Sequence, residues 1–164
     1  FFLYGGTALV RGRGDIVEPL EPAGPPLVMV VVWPEIRAST REIYAAWDAS
    51  ERVGSGPEVT GAMQGALRQG DLAGIAECLG NDLEEVVFAR YPALRSLKQG
   101  LLDAGCLGAT VCGSGSSLLG LAPDEAMARE LWKQSTSRGG WAAVVWSRSA
   151  HEPVVRALAP GDEE

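Results

Sequence analysis

The chain has 164 residues, which is enough for one domain and part of a second. Its formal net charge of −7, from 14 basic and 21 acidic residues, argues against a nucleic-acid or anionic-membrane surface, because both need clustered Lys and Arg. The three cysteines form no C-x-x-C pair and His151 is the sole histidine, which argues against a zinc site and favours reduced thiols in a cytoplasmic compartment. The longest apolar run, residues 27–33, is too short to cross a bilayer.

The first part of the chain is predicted to be a β-hairpin followed by a linker. Residues 1–4 are apolar and strand-like, with no methionine or basic leader, so we expect the chain to be a fragment of a larger protein. A strand over 2–10, a turn at Gly12-Arg13-Gly14 and a return strand over 15–20 form the hairpin. The predicted layout is a remnant of an N-terminal domain with its linker at 1–24, a main domain at 25–150 and a polar tail at 151–164.

The main domain alternates strand and helix signals. A valine-rich run at 27–33 predicts a buried strand, and Ser39 with Glu42 has the spacing of a capping box that starts a helix at Thr40. Helices are predicted next over 59–69 and 72–79, and the second of them ends at a left-handed Gly80. A helix capped by Asn81 and a helix from Pro92 to about 105 follow. The last predicted elements are strands at 107–112 and 117–121, a helix from Pro123 to 136 and a strand at 141–147. This order predicts an α+β, ferredoxin-like β-α-β-β-α-β sandwich with extra helices in the first crossover.

A glycine-rich segment, residues 108–121, carries Gly113-Ser114-Gly115-Ser116, called the glycine loop below. Glycines allow another backbone or a ligand to approach closely, and consecutive N–H groups beside small hydroxyls can form an anion-binding nest. A tight turn between core strands explains the same pattern without a ligand. The segment is neither a Walker A loop nor a nucleophile elbow, because neither Gly-Lys-Ser/Thr nor Gly-x-Ser-x-Gly stands there.

Several segments, in the right chain order, resemble the GHMP kinase superfamily and most closely its diphosphocytidyl-methylerythritol kinase family. Residues 108–121 resemble the third conserved motif of the superfamily, with departures at Cys112, where Ser or Thr is usual, and at Ser116, where Pro is common. Residues 1–8 with 12–15 resemble the stretch that follows the family's catalytic aspartate, and residues 34–48 resemble its substrate-side helix. A helix start of the family is similar to Asn81-Asp82-Leu83-Glu84 with Tyr91-Pro92.

The resemblance implies an ATP-dependent kinase of non-mevalonate isoprenoid synthesis that phosphorylates the 2-hydroxyl of a cytidine diphosphate derivative of methylerythritol. It implies that the glycine loop closes the active site from below the phosphate-binding loop and that Tyr44 stacks on the cytosine. Thr40 is predicted to hydrogen-bond the polyol or diphosphate of the substrate, and Arg13 to reach the diphosphate. The family's phosphate-binding loop and catalytic Asp-Val-Pro step do not occur in these 164 residues, so ATP and Mg²⁺ are expected on an N-terminal half and the chain alone is expected to be inactive.

Simpler interpretations of the same residues stay open. Tyr44 fits a partly buried helix tyrosine, Thr40 a residue of the helix cap, and Arg13 a solvated turn arginine. Two rival functions are another GHMP kinase, of the homoserine or mevalonate type, and a non-catalytic ferredoxin-like binding module. An RNA-binding version of the fold is disfavoured by the acidic charge and by the lack of paired aromatic residues on a central strand.

Overall fold

Two antiparallel sheets and six helices make up the part of the chain that the computed structural model describes, residues 5–136 and 140–148. The smaller sheet is the predicted hairpin, in which β1 (Thr7–Arg11) pairs with β2 (Ile16–Leu20). β1 begins later than predicted, because Gly5 and Gly6 have φ angles of 64° and 66°, which no strand residue adopts. The predicted start of this strand at residues 2–4 and the polar tail with His151 lie outside the described residues.

The larger sheet has the strand order β4-β5-β3-β6 and contains β3 (Val28–Trp33), β4 (Gly108–Val111), β5 (Leu118–Leu121) and β6 (Trp141–Trp146). The valine-rich β3 lies inside the sheet and pairs with both β5 and β6. β4 lies at the edge and pairs with β5 alone among these strands. The order and the antiparallel pairing confirm the predicted ferredoxin-like sandwich.

Five helices occupy the crossover from β3 to β4, and one joins β5 to β6. They are α1 (Thr40–Asp48), α2 (Pro57–Gln69), α3 (Leu72–Cys78), α4 (Glu84–Arg90), α5 (Pro92–Asp103) and α6 (Glu125–Thr136). Ser39 caps α1 as predicted, since its side chain accepts a hydrogen bond from the Glu42 amide. The Glu42 carboxylate, the other half of the predicted capping box, accepts from Arg90 at 2.5 Å. The prediction that α3 ends at Gly80 in a left-handed conformation is wrong. α3 ends at Leu79 in extended backbone, with φ −66° and ψ 118°, so the turn needs no left-handed residue.

The core lies between the larger sheet and the helices. Its fully buried side chains include Val30 and Leu118 from the sheet, Leu94 from α5 and Leu131 from α6. Burying one such side chain contributes about 1.5–3 kcal/mol, so this layer is the main source of stability. A second cluster of Ala66, Leu67, Ile75 and Leu121 attaches α2 and α3 to the sheet. Within the described ranges, no helix is long and apolar enough to cross a membrane.

Gly108 lets β4 approach α3 closely. A Cβ atom there would lie 2.8 Å from the Ala76 carbonyl oxygen, a backbone atom that cannot rotate away. Gly108→Ala should therefore lower the free energy of unfolding by about 1–3 kcal/mol in urea denaturation, as overpacked core substitutions do. The matched control is Gly61→Ala in α2, where nothing lies within 4 Å. It should raise the same free energy by up to about 1 kcal/mol, because alanine favours helix. Equal stability of the two variants would contradict the close approach.

Candidate functional site

The glycine loop is a tight turn from β4 to β5. Gly113 and Gly115 have φ angles of 56° and 81°, in the left-handed region that favours glycine. The Cys112 amide donates to the Ser117 carbonyl at 2.8 Å and the Gly115 amide donates to the Cys112 carbonyl at 3.0 Å. A Cβ atom on Gly115 would lie 3.3 Å from the Val87 side chain, whereas one on Gly113 would meet nothing within 4 Å. The loop therefore rests on the core at Gly115 and faces open space at Gly113.

The thiol next to the glycine loop belongs to Cys112. The residue is exposed, but neighbouring atoms remove enough water from the sulfur to raise the pKa of the thiol. At neutral pH the group is therefore protonated, and a nucleophilic role is disfavoured. Cys78, Cys106 and Cys112 are free thiols in the described part of the chain.

Ser114 connects the glycine loop to α1. Its Oγ lies 2.9 Å from Oγ1 of Thr40, within hydrogen-bonding distance. Tyr44 follows Thr40 by four residues, so it lies one turn further along the same helix face. Tyr44 is 52% exposed, which is inconsistent with a tyrosine of the core. α1 is instead held by Ile43, which is completely buried. Ser114, Thr40 and Tyr44 therefore belong to one continuous surface.

Ser116 attaches the other end of the loop to the segment that leads into α1. Its hydroxyl donates to the Ile36 carbonyl, and the residue is only 5% exposed. Glu35, the residue before Ile36, has a φ of 60°, which is an uncommon conformation for a residue with a side chain. Hydrogen bonds from the loop thus hold the approach to α1 at Ile36 and the first turn of α1 at Thr40.

Arg13 takes no part in the hydrogen bond that joins Ser114 to Thr40. Arg13 is exposed in the hairpin turn, where its backbone amide donates to Asp15 at 2.8 Å. In the described ranges its side chain makes no hydrogen bond or ion pair with Thr40, Tyr44 or the glycine loop. Its contact with a diphosphate stays a prediction.

Asn81 contacts the glycine loop, a role that the sequence analysis missed. Its Nδ2 donates to the carbonyl oxygens of Val111, at 2.8 Å, and Gly113, at 2.7 Å. Its Oδ1 accepts from the Leu83 amide at 3.0 Å. Asn81 was predicted to cap α4. The cap residue is Leu83, while Asn81 Oδ1 accepts from an amide in the turn before the helix and its Nδ2 bonds the loop. The similarity of residues 81–84 to a family motif was the one signal for this role.

Glu84 binds the same strand end. Its Oε1 accepts from the Val111 amide at 3.0 Å, and its Oε2 accepts from Nζ of Lys98 at 2.5 Å. The side chains of Glu84 and Lys98 are only 14% and 23% exposed, so their ion pair is screened less than a surface pair. The Val111 amide and carbonyl are therefore both satisfied by side chains from residues 81–84.

Cavities on the described part of the chain lie beside the predicted site residues and not at them. One, of about 340 Å³, is bounded by α5, α6 and residues 34–36, and another, of about 470 Å³, lies between β1 and α2. A third, of about 330 Å³, lies between the end of α1 and α4. Thr40, Tyr44, Arg13 and the glycine loop line none of these three cavities. Among the described residues, no cluster of three or more His, Cys, Asp or Glu side chains is able to hold a metal ion. The hydroxyls of Thr40 and Ser114 and the ring of Tyr44 thus lie on an open surface and not in one of these cavities.

The two loop serines should differ in their effect on stability. Ser116→Ala leaves the Ile36 carbonyl without its buried donor, which should lower the free energy of unfolding by about 1–3 kcal/mol. Ser114→Ala is the matched control, because its bond to Thr40 is solvent-exposed, and its effect should stay within about 0.5 kcal/mol. Thermal and urea unfolding of both variants test this. A larger loss for Ser114→Ala than for Ser116→Ala would contradict the assignment.

The domain described above matches a family of known proteins. Residues 63–138 match a family model described as GHMP kinases C terminal. The chain belongs to the GHMP kinases and carries their C-terminal domain. This confirms the superfamily that the glycine-loop segment indicated.

The relatives of the chain narrow the family further. It is 44% identical over 133 residues to the 4-diphosphocytidyl-2-C-methyl-D-erythritol kinase of Pelotomaculum thermopropionicum. That alignment covers 80% of this chain and 45% of the Pelotomaculum protein. It is 42% identical over 143 residues to the kinase of the same name from Symbiobacterium thermophilum, covering 86% and 50%. The chain therefore spans about half the length of the curated relatives it matches.

Solved structures show the same architecture. A crystal structure of 4-(cytidine 5'-diphospho)-2C-methyl-D-erythritol kinase superposes with a TM-score of 0.71 at 30% identity, over 87% of this chain and 50% of that one. Homoserine kinase from Cytophaga hutchinsonii superposes with a TM-score of 0.72 at 21% identity, over 89% and 49%. The second likeness shows the fold alone, because the identity is low.

Proposed function

We propose that this chain is the C-terminal part of an ATP-dependent kinase that phosphorylates the 2-hydroxyl of 4-diphosphocytidyl-2-C-methyl-D-erythritol. The observation that carries the proposal is the contact of Ser114 with Thr40, one turn from the exposed ring of Tyr44. Hydroxyls beside an aromatic face suit a substrate that combines a polyol diphosphate with a base. The names of the most similar relatives support this substrate over homoserine or mevalonate.

In this proposal the chain binds and orients the phosphate acceptor. Tyr44 stacks on the cytosine, a contact that contributes about 1–3 kcal/mol. Thr40 and Ser114 hydrogen-bond the polyol or diphosphate. Phosphoryl transfer depends mainly on such positioning and on charge stabilisation, so an acceptor surface is a direct contribution to rate.

The rest of the machinery belongs to an N-terminal half. We assign to it the phosphate-binding loop, the catalytic aspartate and the ATP and Mg²⁺ sites, since the described residues form no acidic cluster that suits a metal. Residues 1–24 would belong to that half, residues 25–150 to the C-terminal domain, and the whole enzyme to the cytoplasm. When bound there, ATP with Mg²⁺ supplies the phosphoryl group and offsets its negative charge.

A chimera tests the substrate. The N-terminal part of the P. thermopropionicum kinase, up to the start of the 133-residue match, would be fused to this chain. With ATP, the purified chimera should phosphorylate the cytidine diphosphate substrate and leave homoserine and mevalonate unchanged. Phosphate transfer to either of the latter in preference, by a folded chimera, would overturn the substrate assignment.

The chain by itself should have no kinase activity. It carries the proposed acceptor surface but neither the phosphate-binding loop nor the catalytic aspartate. A coupled assay for ADP release, with ATP and the cytidine substrate, should give the same rate with the 164-residue chain as without it. The active chimera is the positive control. ATP-dependent turnover by the purified chain would disprove the division between halves.

Tyr44 should set the affinity for the cytidine substrate. In the chimera, Tyr44→Ala should raise Kd for that substrate by about 10- to 100-fold, the equivalent of stacking one base. Tyr44→Phe should be nearly neutral because it keeps the ring, and the KM for ATP should not change. Trp141→Ala is a control of similar exposure, 53% against 52%, on β6. Tight binding by the Tyr44→Ala variant, or equal damage by Phe and Ala, would exclude the stacking role.

A further inference from the structure

We propose that Asn81 is a positioning residue that sets the conformation of the glycine loop and so places Ser114 against Thr40. The consequence for catalysis rests on the proposed function, but the structural part does not. Both N–H groups of the Asn81 amide are used, one by the Val111 carbonyl and one by the Gly113 carbonyl. These two carbonyls flank Cys112, so the amide holds the chain where β4 ends and the loop begins.

Asparagine is the side chain that fits this position. An amide offers two donors and an acceptor on one short stem, and all three are engaged here at 2.7–3.0 Å. Aspartate has the same shape but no donor, and its oxygen would lie against two carbonyl oxygens. Glutamine adds a methylene group that this geometry does not accommodate without a shift.

The surrounding contacts fix Asn81 and the loop relative to each other. Val111 lies at the end of the edge strand β4, where its outward backbone groups have no neighbouring strand. Glu84 accepts from the Val111 amide and is itself held by Lys98 on α5. The start of α4 and the strand end are therefore joined as one unit, and Gly113 is held by Asn81 alone among the side chains of the described residues.

This unit reaches the acceptor surface through Ser114. Ser114 follows Gly113 directly, and its hydroxyl contacts Thr40 at 2.9 Å. Gly113 itself has no neighbour within 4 Å of an added Cβ, so little packing holds it from the open side. Loss of the Asn81 bond should free Gly113 and Ser114, while Ser116 stays attached to Ile36. The expected defect is therefore local to the acceptor side of the loop.

The competing explanation is that Asn81 only supports the turn before α4, through its bond to the Leu83 amide. Asn81→Asp separates the two roles. It keeps the acceptor for Leu83 and removes the two donors that bond the loop. If Asn81 only supports that turn, Asn81→Asp should behave like the original chain. If it positions the loop, Asn81→Asp should be at least as damaging as Asn81→Ala.

The first measurement uses the 164-residue chain and does not depend on function. Amide hydrogen exchange over residues 111–117 should be about tenfold faster in both Asn81 variants, as expected for the loss of a hydrogen bond of ordinary strength. The Leu83 amide should stay protected in Asn81→Asp and lose protection in Asn81→Ala. Gln99→Glu is the matched amide-to-acid control, since the Gln99 amide bonds Asp103 at 2.9 Å on α5 and not the loop.

The second measurement uses the chimera. Asn81→Asp should raise the KM for the cytidine substrate about tenfold and leave the KM for ATP nearly unchanged. Unchanged loop exchange in Asn81→Asp would overturn the inference. Faster exchange with an unchanged KM in an active chimera would also overturn it, since the contact would then be structural only. An inactive original chimera would count against the proposed function, and the exchange data would still decide whether Asn81 holds the loop.

Discussion

The position of the glycine loop depends on how the edge strand β4 ends. An edge strand leaves backbone N–H and C=O groups without a neighbouring strand, and a buried group of this kind must find another partner. At Val111 the partners are the side chains of Asn81 and Glu84, which take the carbonyl and the amide respectively. The position of the glycine loop is therefore fixed by side chains from the start of α4 as well as by the strands that it connects.

A second constraint relates the loop to α1. Ser114 contacts Thr40 in the first turn of that helix, and Ser116 donates to the Ile36 carbonyl in the segment before it. Since Ile43 is buried and Tyr44 is exposed, the helix is anchored on one side and leaves its ring accessible on the other. In the function proposed above, this arrangement orients the phosphate acceptor.

Much of the fold was predictable because its signals are local. The capping box at Ser39 needs residues three apart, and the valine run of β3 predicts burial without knowledge of its neighbours. The errors were also local in origin. Gly80 was predicted to end α3 in the left-handed conformation, but the helix ends at Leu79 in extended backbone. The first strand was predicted to include Gly5 and Gly6, whose positive φ angles exclude them from a strand.

The sequence by itself determined the order of strands and helices, the family, and the residue types of the glycine loop, because these follow from spacing and motif within short stretches. Only the tertiary structure decided which side chains meet. Asn81 lies 32 positions from Gly113, Thr40 lies 74 from Ser114, and Ile36 lies 80 from Ser116. Contacts across such separations depend on how sheet and helices pack, since no periodicity within a segment encodes the partner that another segment brings beside it.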